Sequence, residues 1–401
     1  VTVRDIADLV LRWIHLIAGI MWVGNSMLFN WLDRNLERDP GADEKHEGRI
    51  WMVHSGGFYD VEKKQLTPSE MPKVLHWFKW QSYTTWLTGA SLLVVVYYLG
   101  GGTLMVDPQV RSLHPHLAIT IGVGGLAGGF LLYDLVWRSS LRKIEWLAQL
   151  LTLAIVAGAV ALFTETLSGR AAYIHVGALL GTLMAGNVFF HIIPSQRVLV
   201  EATKSGKEQD KAFALRAKQR SIHNNYFTFP LLFIMVSNHF PATYGSRLRW
   251  AILGVLMVGG ALARHFMNAR WTFKGWLPSL LGTVAVTLGV LAVLVWPREQ
   301  RAAAQAVESG PTDTHLLALK ARVVVTERCV PCHSQAPTDE VFKAAPAGVV
   351  LDTPEQMKRW SERIKVRAVD TNTMPFGNKT QISEDERAVL ASWVAAGAPA
   401  D

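Results

Sequence analysis

Eight mostly apolar stretches strung along the first three quarters of this chain restrict its fold more than any other feature. A helix that crosses a bilayer needs roughly 20 such residues. The stretches fall near 9–32, 79–99, 116–137, 146–164, 171–193, 226–239, 249–267 and 277–296. They are apolar all round, whereas the helices of a soluble protein typically keep a polar face. The sixth, within NYFTFPLLFIMVSNHF, is short and carries Pro230, and its flanks extend it. The first runs past Trp22 without a small-residue cleavage site and reads as a retained span.

Orientation follows from where the cations lie. The connections after spans 1 and 5 hold seven Lys and Arg each, and those after spans 3 and 7 are also basic. Connections after spans 2, 4 and 6 hold only one or two each. Positively charged loops stay in the cytoplasm, so both termini are expected outside, in the periplasm of a bacterial inner membrane. Arg4 and Arg12 oppose this, but the larger count prevails. The net charge of +8 therefore has a topological meaning and does not point to nucleic acid.

Two short matches suggest a duplicated, 4+4 bundle. Gly24-Asn25 of span 1 aligns with Gly186-Asn187 of span 5, and GGFLLYD of span 3 with GGALARH of span 7. Chance similarity of Gly-rich helices is the alternative. Mean hydropathy is only +0.19 despite these spans, because the sequence turns polar after Trp296-Pro297. The expected organisation is an integral membrane domain over 1–297, a linker over 298–312 and a small soluble domain over 313–401.

That soluble part holds both cysteines of the chain, in TERCVPCHSQ. Cys-x-x-Cys-His is the attachment sequence of a c-type haem. Cys329 and Cys332 would form the thioethers and His333 would bind the iron. Met374, in the turn-forming TNTMPFGN, is the expected second axial ligand, since a Met/His pair suits electron transfer. Met357 competes, but PEQMKRWSERIKVR reads as a helix that fits a loop ligand poorly. Helices are expected at 313–328, near 354–367 and from a capping box at Ser383 and Glu386, an all-α pattern similar to a class I cytochrome c, with first and last helices packed together. Zinc, the other use of such a motif, needs further ligands at suitable spacing. Haem is attached to such motifs outside the cytoplasmic membrane, where charge counting already puts this segment.

Ionisable groups inside a membrane are costly and suggest function. His15 and His175 are expected near the outer ends of spans 1 and 5, where they could ligate a b-type haem or simply satisfy neighbouring polar groups. His191 follows His175 by roughly 24 Å of helix, too far to share one metal. The inner ends of spans 2 and 6, HWFKWQSYTTW and SIHNNYFTF, are polar for their depth. A substrate pocket formed by His223, Asn224, Asn225 and Thr228, with Gln81, Thr84 and His265 nearby, would suit a planar, amide-rich heterocycle. The alternative is a lining for the lipid headgroup zone.

Over nearly its whole length the chain resembles the bacterial membrane-bound urate oxidase (urate hydroxylase) family. The resemblance rests on RWIHLIAGIMWVGNSMLFNWLD, on SIHNNYFTFPLLFIMVSNHFP and on the C-terminal Cys-x-x-Cys-His with its Met374 loop. It implies an eight-span domain fused to a cytochrome c. It also implies oxidation of urate to 5-hydroxyisourate, with electrons leaving through haem c towards a terminal oxidase or soluble cytochrome instead of reducing dioxygen directly. In that scheme His223 or His265 takes a proton, an imidazole being suited to the task at neutral pH. Two other classes compete: a membrane-anchored cytochrome fed by quinol or a partner enzyme, for which eight spans are excessive, and a transporter, for which a haem domain has no use.

Overall fold

The computed structural model describes residues 3–38, 46–99, 102, 104–108, 110–295 and 314–400. The expected linker at 298–312 lies outside them. Helices occupy all eight apolar stretches. They are α1 (Val3–Asn35), α2 (Trp80–Leu93), α3 (Pro115–Arg138), α4 (Glu145–Thr166), α5 (Gly169–Gly186), α6 (Ile193–Lys204), α7 (Lys211–Val236), the short α8 (Pro241–Tyr244), α9 (Arg249–Ala269) and α10 (Trp276–Val295). A π-helical turn, Asn187–Ile192, joins α5 and α6 into one helix, Gly169–Lys204.

Six helices among the described residues are long and apolar enough to cross a membrane: α1, α3, α4, the joined α5–α6, α9 and α10. The chain is thus a multi-pass membrane protein. Two of the eight expected spans do not meet that measure. Helix α2 has only 14 residues before a π-helical turn at Val94–Tyr98, and α7 opens on the charged KAFALRAKQR. The outward faces look as lipid contact requires. Leu9, Trp13, Leu16 and Ile20 of α1 are all exposed, and α10 has no buried residue. Apolar surface of that extent is unfavourable in water and neutral in hydrocarbon.

One element corrects the all-α expectation. Between α1 and α2 the chain forms an antiparallel hairpin, β1 (His46–His54) and β2 (Gly57–Lys64). Ser55 and Gly56 turn it, both at positive φ, the combination that the tightest hairpin turns require. Arg49, opposite Glu62, reaches diagonally across the strands to an ion pair with Asp60. The strands carry so many charges that their alternation is hidden from a hydropathy reading.

By its contacts the chain divides into two compact units, residues 1–95, 178–231 and 260–283, and residues 96–177, 232–259 and 284–401. In the first, α1 packs on α2. In the second, α3 pairs with α4, tied by Trp137 Nε1 donating to Thr152 Oγ1 at 2.8 Å.

Residues 314–400 also belong to the second unit. They contain α11 (Thr314–Arg328), α12 (Pro354–Arg359), α13 (Ser361–Ile364) and α14 (Glu384–Ala395). Leu317, Ala321 and Val325 of α11 pack in one core with Met357, Ile364, Leu390 and Trp393. First and last helices meet as expected, and Arg328 Nη2 bonds Glu386 Oε1 at 2.9 Å. The Ser383 capping box forms in both directions, closing the N-terminus of α14.

Candidate functional site

The densest buried polar cluster in the membrane-spanning part starts from a proline. Pro194 has no N–H to return to the carbonyl one turn back, and the helix before it relaxes into the π-helical turn Asn187–Ile192. That turn carries Asn187 and His191, both buried. Arg220 Nη1 donates to Asn187 Oδ1 at 3.2 Å, and Asn187 Nδ2 donates to Asn224 Oδ1 at 2.9 Å. Asn224 Nδ2 reaches the Met184 carbonyl at 3.0 Å, while Thr228 Oγ1 donates to the Asn224 carbonyl at 2.7 Å.

The next residue of α7 begins a second branch. Asn225 Oδ1 accepts from Arg264 Nε at 2.9 Å and from Asn268 Nδ2 at 2.7 Å. Asn268 Oδ1 in turn accepts from Asn30 Nδ2 at 3.2 Å, and its carbonyl from Arg34 Nη1 at 2.9 Å. Arg264 is only 6% exposed, and among the described residues the cations Arg34 and Arg270 act on it, with the Tyr226 phenol acting in the opposite sense. Helix α9 approaches α7 closely at Gly260, where a Cβ would stand 3.3 Å from the nitrogen of Pro230.

The residues expected to line a pocket separate into groups. Asn224, Asn225 and Thr228 are buried members of this network. His223 is half-buried on the same helix, within the field of Arg220. His265 is exposed, and its Nδ1 lies 2.8 Å from Tyr226 Oη. Gln81 and Thr84 sit on α2, and no hydrogen bond among the described residues ties their side chains to the network. The Gln81 Oε1 atom is buried without a partner.

His15 and His175 are each packed into their own unit. His15 Nδ1 lies 2.9 Å from the Thr85 carbonyl and 3.1 Å from Thr88 Oγ1. His175 is fully buried. Its Nδ1 lies 2.7 Å from the Ala171 carbonyl and its Nε2 lies 2.9 Å from Tyr98 Oη. A carbonyl only accepts, so Nδ1 carries the proton and Nε2 receives the tyrosine hydroxyl. Phe163 and Tyr97 flank the ring, and a Cβ on Gly122 would stand 2.8 Å from Nε2. With both nitrogens engaged and helix α3 against the ring, His175 as packed does not fit a haem b ligand.

The C-terminal motif presents the opposite arrangement. Both cysteines are free thiols at the end of α11, where the Cys332 and His333 amides turn back to the Cys329 carbonyl at 3.1 and 2.9 Å. Burial, with Cys332 beside it, pushes the Cys329 thiol up to about 12, and burial with Asp339 pushes Cys332 up to about 11. His333 Nδ1 lies 3.0 Å from the Val349 carbonyl, which leaves the Nε2 lone pair facing away. Burial holds its pKa below the ordinary value. Met357 is 3% exposed in the core, whereas Met374 is half-buried on a loop held by Arg387 Nη1, which donates to its carbonyl at 2.9 Å. Arg387 Nε and Nη2 are buried without partners, donors available to a carboxylate.

The same loop rests on the membrane-spanning helices. Arg367 Nη1 donates to Tyr244 Oη at 3.3 Å, and the Arg170 guanidinium stands 5.9 Å from the Phe376 ring. Gly245 permits the approach, since a Cβ there would fall 2.3 Å from the Thr371 carbonyl oxygen. Tyr173 braces the turn below by donating to the carbonyls of Arg249 and Thr243 at 2.8 and 3.1 Å.

Residues 1–296 match the family described as urate oxidase N-terminal. The chain belongs to that family. No curated protein and no solved structure matches it. The urate oxidase N-terminal region takes in every helix from α1 to α10 and so both buried clusters. Sequence reasoning found Asn224 and Asn225 and missed Arg220, Arg264, Asn187 and Asn268. The signal was present: arginine within the apolar GGALARHFMNA of α9 is as costly as any histidine and more firmly charged.

Proposed function

We propose that this protein oxidises urate to 5-hydroxyisourate and passes the electrons to a c-type haem in its own C-terminal domain. Membership of the urate oxidase N-terminal family carries the first half of this reading. The second half rests on the Cys329-Cys332-His333 motif with its imidazole turned for ligation and on Met374 in a braced loop. The stoichiometry is urate plus water giving 5-hydroxyisourate, two protons and two electrons. His223, half-buried beside Asn224, takes a proton from urate, with His265 the second candidate base. Asn224, Asn225 and Thr228 bind its amide edges, and the buried Gln81 carbonyl offers an acceptor for a ring N–H. Haem c, when bound through Cys329 and Cys332 with His333 and Met374 on the iron, supplies a one-electron acceptor between urate and the downstream oxidase or cytochrome.

In this reading the bundle has eight spans, α2 with its π-helical turn and α7 completing the six longer helices. The basic connections face the cytoplasm and the C-terminal domain faces the periplasm. Anaerobic mixing of the full-length protein with urate tests the proposal. Haem absorbance should change to the reduced form with urate alone, with 5-hydroxyisourate appearing at one molecule per two electrons. Reduction by quinol and not by urate would support the anchored-cytochrome alternative and end this one.

A further inference from the structure

We infer that Arg264, supported by Asn225 and Asn268, is an anion-binding site that holds the substrate as its monoanion. The inference rests on the urate reading above and adds to it which residues recognise the charge. A guanidinium offers five N–H donors in a planar fork. Arg264 spends one of them, Nε, on Asn225 Oδ1 at 2.9 Å, and its remaining donors make no hydrogen bond among the described residues. Asn225 Oδ1 is already filled by two donors, and the Nδ2 group of that amide bonds nothing among the described residues. The site thus has a surplus of donors on a side chain 6% exposed.

Charge points the same way. A buried cation normally requires a carboxylate partner, yet among the described residues the groups acting on Arg264 are the cations Arg34 and Arg270 and the Tyr226 phenol, with no carboxylate. Arg34 and Arg270 both lie against the Trp271 ring, at 5.3 and 3.8 Å, so these two cations are gathered around one aromatic ring. Among the described residues no carboxylate answers Arg264, and the partner inferred for it is an anion supplied from outside the chain. A planar heterocyclic anion with several carbonyl oxygens matches the unspent donors, and urate carries one negative charge at neutral pH. Phe229, 5.5 Å from the Arg264 guanidinium, leaves one face of the fork covered and its edge available.

Two variants of the full-length protein separate charge recognition from packing. Asn225→Asp keeps the bond to Arg264 and adds an internal ion pair, so the fold is retained while the site is neutralised. Arg264→Lys keeps the charge and loses the fork. Binding of radiolabelled urate to the detergent-solubilised protein is measured alongside haem reduction by ascorbate, which bypasses the membrane site. Asn225→Asp should weaken urate binding by about 100-fold, the scale of a lost buried charge pair, with ascorbate reduction unchanged. Arg264→Lys should fall between it and the wild type. Urate binding by Asn225→Asp within about threefold of wild type, well short of the loss a buried ion pair predicts, overturns the inference and leaves the urate reading standing. A wild-type protein that binds no urate overturns both.

Discussion

His175 and Arg264 are both buried nitrogen-rich side chains on long apolar helices, and the fold provides for them in opposite ways. Around His175 every hydrogen-bonding atom is answered: the Ala171 carbonyl takes one ring nitrogen, Tyr98 the other, and aromatic rings with Gly122 close the remaining sides. Around Arg264, among the described residues, a single acceptor answers one donor and the nearby cations Arg34 and Arg270 are repulsive. Burial of an ionisable group is therefore a poor guide to function when taken alone. The useful quantity is the balance of donors, acceptors and charge, which closes at the first site and stays open at the second.

The largest effect expected from this contrast concerns haem content. Replacing Cys329→Ser and Cys332→Ser together should abolish all haem absorbance of the purified protein, because both ring nitrogens of His175 are already engaged. A b-type spectrum surviving in that variant would break the comparison. Next comes packing at the closed site. Gly122→Val drives a side chain into the His175 ring and should cost about 3 kcal/mol of stability, seen as a lowered unfolding temperature in detergent. Tyr98→Phe should cost about 1–2 kcal/mol by leaving one ring nitrogen unanswered, with urate oxidation unchanged.

The smallest effect lies in the C-terminal domain. Burial works to raise the Asp339 pKa, but the Lys379 ammonium at 2.5 Å and the amides of Phe342 and Val341 outweigh it and hold the carboxyl below its ordinary value. A depressed folded pKa gives stability that is complete above the unfolded value of about 3.9 and is lost as pH falls through the folded one. Asp339→Asn should remove about 1 kcal/mol at neutral pH and flatten the acid limb of the unfolding curve, followed by the fluorescence of Trp360 and Trp393.

How much of this was legible in the sequence depends on how local each signal is. The eight apolar stretches, the Ser383 capping box and the Cys329-Cys332-His333 motif are written in consecutive residues, and helices, cap and turn follow at those places. The core position of Met357 was readable from its helical setting. The hairpin at 46–64 was not, since a solvated ribbon needs no apolar face and its turn chemistry lies in two residues. The provision for His175 depends on Tyr98, 77 residues away, and on a glycine whose role is to be absent from the space. Arg264 was visible as a charge in an apolar run, but its significance required knowing that Asn225, 39 residues earlier, takes only one of its donors.

The contact between the Met374 loop and the turn at Tyr244–Gly245 has a kinetic consequence. A module held on the same chain is present at an effective concentration on the order of millimolar, far above what a diffusing carrier reaches in most compartments. Under the proposed electron path, delivery to it is first order in the protein itself, independent of dilution and insensitive to the salt that screens encounters between charged partners. Only the later transfer, from this domain to whatever collects from it, should slow when the collecting carrier is scarce.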